Sequence, residues 1–332
     1  PTKIKFPILS ENDSIKQICA ANKFNVVLTS HGKVFTWGNN KGLQCGIQSE
    51  VKHILVPTEI PILMNNEKEK INLIITGIDQ ALVFTNQYSC YIWGDCLNQI
   101  DGVSPPIKSL YPLHKALSYN KTIIARQLIT SSNIYELDEF DQSPLYIACE
   151  EGLEDMVKEI LQKMDLIKIN GTFDEKNPVD VASSTGFLSI VKLLLDKGLK
   201  GSDESIFEAF TWGYSDIIKI LIHHQDDLLK VKDYKGDTPL CLASINGDFD
   251  LVKLFLSKGV GVNEQNLYGE TALTHTCNFL SYPSEKMYDV KCYLSIASLL
   301  LEHQANVHLK NKDGLTPTMI ATQNCQYDFL NL

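Results

Sequence analysis

Cysteine and histidine are the side chains of this chain best able to do chemistry beyond packing, and their spacing decides which chemistry is open to them. Nine cysteines stand at positions 19, 45, 90, 96, 149, 241, 277, 292 and 325. A bound soft metal or a redox pair calls for thiols at C-x-x-C spacing, or for a thiol with histidine at ligand spacing. No cysteine has such a neighbour along the sequence, and the number is odd, so neither a metal site nor a disulfide framework is expected and a reducing, cytoplasmic compartment suits them. Gly42-Leu43-Gln44-Cys45-Gly46 has too few glycines, and no helix after it, to cradle a phosphate. Phosphate-loop, dinucleotide, serine-hydrolase and H-E-x-x-H signatures are missing. Catalytic, cofactor-binding and metal-ligating residues are therefore all expected to be none, which leaves recognition.

The elements that would position a recognition surface announce themselves as a phrase repeated along the last two thirds of the chain. An apolar residue stands three before Ala or Thr, then comes Gly, then an apolar helix. The phrase reads SPLYIACEEGLEDMVKEIL from Ser143, PVDVASSTGFLSIVKLLL from Pro178 and TPLCLASINGDFDLVKLFLSKG from Thr238, with weaker copies from Ser205, Thr271 and Thr316. Taking Leu113, Leu145, Val179, Ile206, Leu240, Leu273 and Thr318 as equivalent, the intervals are 32, 34, 27, 34, 33 and 45. Thr238 is an N-cap with Pro239 at the first helical position, and Gly247 ends that helix. Small Ala at 116, 148, 182, 209, 243 and 321 lets inner helices approach closely, while stretches such as Val252 to Leu256 carry the larger apolar load. Cys149 and Cys241 fall among these inner positions and are expected to pack as small hydrophobes.

The period near 33 and the T-P-L-x-x-A opening resemble the ankyrin repeat, a turn and two antiparallel helices per stacking unit. The resemblance covers about residues 109–332 and implies an α-solenoid of about six to seven helix-pair repeats. In that phrase His114 is expected to make a turn-stabilising hydrogen bond. His223 and His224 close an outer helix, where a cation suits the negative end of the helix dipole. Two intervals depart from the period. The one of 27 implies that the connection Leu199 to Asp203 has lost most of a hairpin, or that the following unit starts early. The one of 45 places an insert near residues 279–290, either a surface loop or part of a binding face.

The first hundred residues follow a period of two. Alternating apolar residues, a turn at Ser30-His31-Gly32 and Val34-Phe35-Thr36-Trp37-Gly38 read as a hairpin ending in a buried aromatic. Trp93 ends a similar phrase 56 residues later. The pattern L-T-x-x-G-x-V-x-x-W-G-x-N resembles the RCC1-type repeat, over about residues 14–103. The second copy departs from it at Tyr88, Asp95 and Leu97 to Ile100. The fold class is thus α+β in two modules: residues 1–106 as about two antiparallel blades of an incomplete propeller, and residues 107–332 as the solenoid. Two blades cannot close a propeller. More blades ahead of Pro1, a partner over the open edge, or use of the strands as a cap on the helical stack would each answer this.

Charge is divided unevenly. Residues 1–106 carry nine Lys and nine acidic side chains, so the formal net charge of −10 belongs to the rest. An acidic solenoid without a basic stripe argues against nucleic acid. No apolar run is long enough for a membrane span.

Repeat geometry then says which residues meet a partner: those at the hairpin tips and those just before each helix-ending Gly. Trp212 is the leading candidate, with Tyr234 and Tyr268 as an aromatic row among Glu150, Glu151, Asp233 and Glu270, and with Thr185 and Asn246 on the same face. The competing role for Trp212 is to fill space left by the short connection at Leu199 to Asp203. Tyr214 is expected to pack between helices. The function expected is a non-catalytic scaffold or adaptor holding a basic or mixed-charge protein segment in the concave groove. The alternatives are the substrate-recognition part of a BTB-type ubiquitin-ligase adaptor, an RCC1-like guanine-nucleotide exchange factor, and a pathogen effector.

Overall fold

Strands come first because residues 15–94 alternate, and the alternation sorts their side chains onto two faces. A computed structural model describes residues 6, 10–47, 51–62, 68–78, 80–87, 89–94, 107–130, 132–164, 177–278 and 290–324. The insert near 279–290 and the second-blade departures at Tyr88, Asp95 and Leu97 to Ile100 lie outside the described residues, Val290 apart. Strands β1 Ile15–Ala20, β2 Phe24–Thr29, β3 Val34–Asn39 and β4 His53–Glu59 form one antiparallel sheet in sequence order. Strands β5 Ile71–Thr76, β6 Gln80–Thr85, β7 Cys90–Gly94 and β8 Ile107–Lys108 form a second. Phe24, Val26, Leu28 and Val34 of the first sheet share one core with Ile74, Ala81, Val83, Tyr91 and Trp93 of the second. Gln17 ties the sheets together, accepting from the Ile74 amide at 3.0 Å and donating to its carbonyl at 2.7 Å.

The two hairpin aromatics do not share a fate. Trp93 is wholly buried, and its indole N–H donates to the Gln44 carbonyl at 3.1 Å. Trp37, expected to be buried, is only half-buried. It follows Thr36, whose hydroxyl bonds inward to the Cys45 carbonyl, so alternation turns Trp37 to the face away from the shared core. There it meets Phe6 edge to face at 5.9 Å. The opposite face of the second sheet is covered as well, with Leu82, Phe84 and Ile92 buried.

The chain divides into two compact units, Pro1–Pro144 and Leu145–Leu332. Helices α1 Pro112–Ser118 and α2 Thr122–Leu128 fall in the same unit as the sheets. The Tyr119 hydroxyl comes 3.3 Å from where a Cβ on Gly77 would stand, which places the end of α1 against the second sheet. His114 makes its expected turn bond, to the Glu136 carbonyl at 3.1 Å, and burial holds its imidazole below the ordinary pKa.

The second unit is helical throughout among the described residues. Its helices are α3 Pro144–Glu150, α4 Glu154–Lys163, α5 Pro178–Thr185, α6 Leu188–Asp196, α7 Asp203–Trp212, α8 Ser215–His224, α9 Pro239–Ile245, α10 Phe249–Ser257, α11 Ala272–Cys277, α12 Val290–Glu302 and α13 Pro317–Gln323. Among the described residues these make five helix pairs and a final helix. Thr238, Thr271 and Thr316 cap inner helices, each hydroxyl accepting from an amide three residues on. The six small Ala positions are all buried, and so are the equivalent apolar residues from Leu113 to Leu273. Thr318, the last of that series, is exposed. His224 bonds the Ile220 carbonyl at the end of α8 and Asp196 at 3.2 Å.

Successive pairs are keyed by glycine. Gly152, Gly186 and Gly247 end their helices with positive φ, and an added Cβ would fall 2.6, 2.6 and 3.0 Å from Phe187, Tyr214 and Tyr293 of the following repeat. Tyr214 is thereby structural, as expected. We predict that Gly186→Ala costs about 2 kcal/mol, from left-handed strain and from overpacking against the Tyr214 ring. Urea unfolding followed by circular dichroism checks this; a cost under about 0.5 kcal/mol would show that the ring yields.

The shortened connection is sealed by side chains where a hairpin would have been. Ser202 caps α7 through Glu204 and bonds Asp180, while Asn177 donates to the Lys200 carbonyl at 2.8 Å. Gln225 accepts from the Gly201 amide at 2.8 Å and donates to its carbonyl at 3.1 Å.

Candidate functional site

The concave face is built by inner helices α7 and α9 and by the turns ahead of α9 and α11. Each turn is closed by its own carboxylate or amide. Asp233 accepts from the amides of Lys235 at 2.9 Å and Asp237 at 2.7 Å, and Asn266 accepts from those of Tyr268 at 2.8 Å and Glu270 at 2.9 Å. Asx turns of this kind fix the backbone, so the aromatic beside each one projects from a rigid base. Tyr234 is 85% exposed and Tyr268 54%.

Between these walls lies a groove of about 780 Å³. Phe207, Phe210, Leu242 and Ile245 give it an apolar floor, Tyr234 and Tyr268 flank it, and Asp203, Glu204, Asp233 and Glu270 supply carboxylates. Its basic groups are already engaged. Lys232 pairs with Glu264 at 3.0 Å, and Lys235 stands 5.5 Å from the centre of the Tyr234 ring. A groove of this composition favours a partner that brings positive charge and apolar side chains together.

The structure brings five of the nine candidate residues into this groove: Asp233, Tyr234, Asn246, Tyr268 and Glu270. Three of the five have internal work, Asp233 in its turn, Asn246 as donor to the Phe210 carbonyl at 3.0 Å and Glu270 as acceptor from the Asn266 amide at 3.3 Å. Trp212 lines a neighbouring hollow of about 410 Å³ with Tyr146, Asp180, Ser184 and Glu208. It is 61% exposed and its indole N–H is held by Glu208 at 3.1 Å, so it does not fill the space left by the short connection. Glu204 lines both hollows and joins them. Glu150 and Glu151 are exposed at the end of α3, where burial and the neighbouring Glu150 charge raise the Glu151 carboxyl. The Thr185 hydroxyl turns back onto the Val181 carbonyl at 2.8 Å.

Reasoning from sequence missed the lower end of the groove. Asp237 and His275 are both buried, and their side chains meet at 2.9 Å. Asn266 donates to the same Asp237 oxygen at 2.8 Å, and Glu270 stands 3.9 Å from His275 Nε2. Burial pushes the Asp237 carboxyl up, but the hydrogen bond and charge of His275, the Asn266 amide and Lys235 outweigh it and hold the group below its ordinary value. One turn into α9, Cys241 is buried and its thiol is pushed up to about 11, chiefly by burial. Asp237 and His275 are 38 residues apart, so no spacing rule could pair them; the signal was an Asp just before a T-P-L phrase and a His in the next copy.

Among the described residues no helix is long and apolar enough to cross a membrane. The family described as "Ankyrin repeats (3 copies)" matches residues 113–205 and 206–283, together just over half of the chain. The "Regulator of chromosome condensation (RCC1) repeat" matches residues 31–81 and 15–46. The chain is 28% identical over 241 residues to "Ankyrin repeat and KH domain-containing protein mask-1" of Caenorhabditis elegans, covering 62% of this chain and 9% of that protein. It is 30% identical over 120 residues to "Probable E3 ubiquitin-protein ligase XBOS33" of Oryza sativa subsp. japonica, 36% of this chain and 23% of that protein. The chain thus spans less than a quarter of the length of either relative. Among solved structures, the ankyrin repeat domain of Bcl-3, an IkappaB-family protein, aligns with a TM-score of 0.53 at 20% identity, over 67% of this chain and 98% of that one. That likeness is one of fold, and with the matched repeats it accounts for the helical unit, as the N-terminal repeats account for the sheets: the chain belongs to the ankyrin-repeat family, with RCC1 repeats at its N-terminus.

Proposed function

We propose that this chain works as a non-catalytic adaptor that holds a basic or mixed-charge protein segment along the concave face of α7 and α9. The observation that carries the reading is the exposure of Tyr234 and Tyr268 above an apolar floor ringed by carboxylates, with Trp212 exposed in the adjoining hollow. Exposed aromatics on rigid supports are where binding energy concentrates. The acidic surround adds faster encounter with cationic segments.

A randomised peptide library displayed against the full chain tests this. Enriched segments are expected to carry Lys or Arg beside apolar residues, and their affinity should fall as salt shortens the screening length. The triple variant Trp212→Ala, Tyr234→Ala, Tyr268→Ala, folded by circular dichroism, should bind them at least about 100-fold more weakly. Enrichment of acidic segments, or unchanged affinity of the variant, would overturn the reading. A role as the recognition part of a ubiquitin ligase is the second reading, favoured by the rice relative. It uses the same groove and would require that the bound protein become ubiquitinated when this chain is present.

A further inference from the structure

Asp237, Cys241 and His275 present a carboxylate oxygen, a thiol sulfur and an imidazole nitrogen within 4.8 Å of one another, all three side chains buried. We propose that these residues bind a divalent zinc ion at the lower end of the groove, with Glu270 closing the fourth position from the hairpin above.

The donor set is the first argument. One sulfur, one nitrogen and carboxylate oxygen suit a borderline-soft ion that takes four ligands at tetrahedral angles. Geometry is the second. Bonds of about 2.0–2.3 Å give tetrahedron edges of about 3.3–3.7 Å. Asp237 to His275 is 2.9 Å and His275 to Glu270 is 3.9 Å, so these edges need shifts of well under an ångström. Support around the ligands is the third. The Asn266 amide holds the Asp237 oxygen at 2.8 Å and lies 3.3 Å from Glu270, the outer partner that a metal-ligating carboxylate requires. Thr238 reaches the Cys241 sulfur at 3.4 Å. The fourth position is also the natural mouth, because Glu270 and not the other three is partly exposed.

Binding exchanges a proton for the ion. The Cys241 thiol loses its proton to solvent as the Zn–S bond forms, and the proton that His275 Nε2 donates to Asp237 in the metal-free protein moves to Nδ1 or leaves to solvent, which frees the Nε2 lone pair for the ion. No oxidant or reductant is needed. The ion would join the turn and start of α9 to α11 and its hairpin, cross-linking two successive repeats directly beneath Tyr268.

The test uses the reduced full chain, freed of metal with a chelator, and Zn²⁺ or Co²⁺ alone as the probe. One equivalent is expected to bind, releasing at least one proton near neutral pH, with affinity rising at least about tenfold per pH unit below the thiol pKa. Co²⁺ should give a thiolate charge-transfer band in the near ultraviolet. Cys241→Ser should remove the band, and Cys241→Ser and His275→Gln should each weaken Zn²⁺ at least about 100-fold. Glu270→Gln, at the partly exposed edge, should weaken it by about 10- to 100-fold without disturbing the fold. Cys149→Ser, at a buried inner-helix thiol in another repeat, should change nothing. Sub-stoichiometric binding, no proton release, or a cobalt band that survives Cys241→Ser would overturn the proposal and leave a buried ion pair beside a packed thiol.

Discussion

Trp93→Ala is expected to cost the first unit about 3–5 kcal/mol, while Trp37→Ala, at the equivalent place one repeat earlier, is expected to cost about 1 kcal/mol. Both residues close a hairpin and precede a glycine, so repeat logic alone makes them equal. Burial makes them unequal. Trp93 fills the space between the sheets beside Val26, Leu28 and Tyr91, and truncation there opens a cavity that β-strands cannot collapse into. It also strands the Gln44 carbonyl, which loses its donor. Gly46 belongs to the same fitting: its φ is +67°, and a Cβ would stand 2.9 Å from the Trp93 ring. Trp37 gives up an edge contact with Phe6 from a half-buried position. Native-state hydrogen exchange reads the difference, with the amides of Val26 and Val83 losing protection in Trp93→Ala and keeping most of it in Trp37→Ala. Equal losses would mean that the two faces of the first sheet are equally packed.

What the sequence made legible was periodic and local. The 32-to-34 intervals fixed which apolar residues begin inner helices, and Thr238, Pro239 and Gly247 set helix ends by forces acting within a few residues. Ala209 could be placed although its repeat, from Ser205, is a weak copy, because it stands three residues after Ile206 as the small Ala does in the stronger copies, and it is buried. Tyr214 was legible for the same reason, packing on Gly186 from the next repeat. The face taken by Trp37 was not legible, because alternation gives a strand two faces and only tertiary packing decides which is buried. At the groove, exposed aromatics could be located from repeat position. The engagement of Thr185 and Asp233 by nearby backbone, and of Asn246 by the Phe210 carbonyl of the preceding repeat, could not, since a polar side chain near a turn serves a partner or the fold with the same sequence. Asp237, Cys241 and His275 converge only because stacking one repeat on the next sets a turn against an inner helix.

That convergence carries the second large effect: Asp237→Ala is expected to destabilise the helical unit by about 3–5 kcal/mol at pH 7 with chelator present, so that no bound ion contributes. The carboxylate is buried against His275 and Asn266, and both would stay buried while losing this acceptor. Asp237→Asn should cost less, because its carbonyl still accepts from Asn266 while the negative charge facing His275 and Lys235 is gone. The pH dependence follows from the depressed carboxyl. A group whose folded value lies below its unfolded one stabilises the native state above the unfolded value, about 3.9, and loses that contribution as pH falls through the folded value. The gap between wild type and Asp237→Ala should therefore be widest near neutrality and narrow below about pH 4. His275 faces the same oxygen and Glu270 faces His275 in turn, so wild type and variant are compared at each pH rather than wild type alone. A gap that stayed constant from pH 7 to pH 3 would mean that the side chain acts through packing. A gap that closes with acid would place an ion pair between successive repeats as a fastening of the stack directly under the proposed groove.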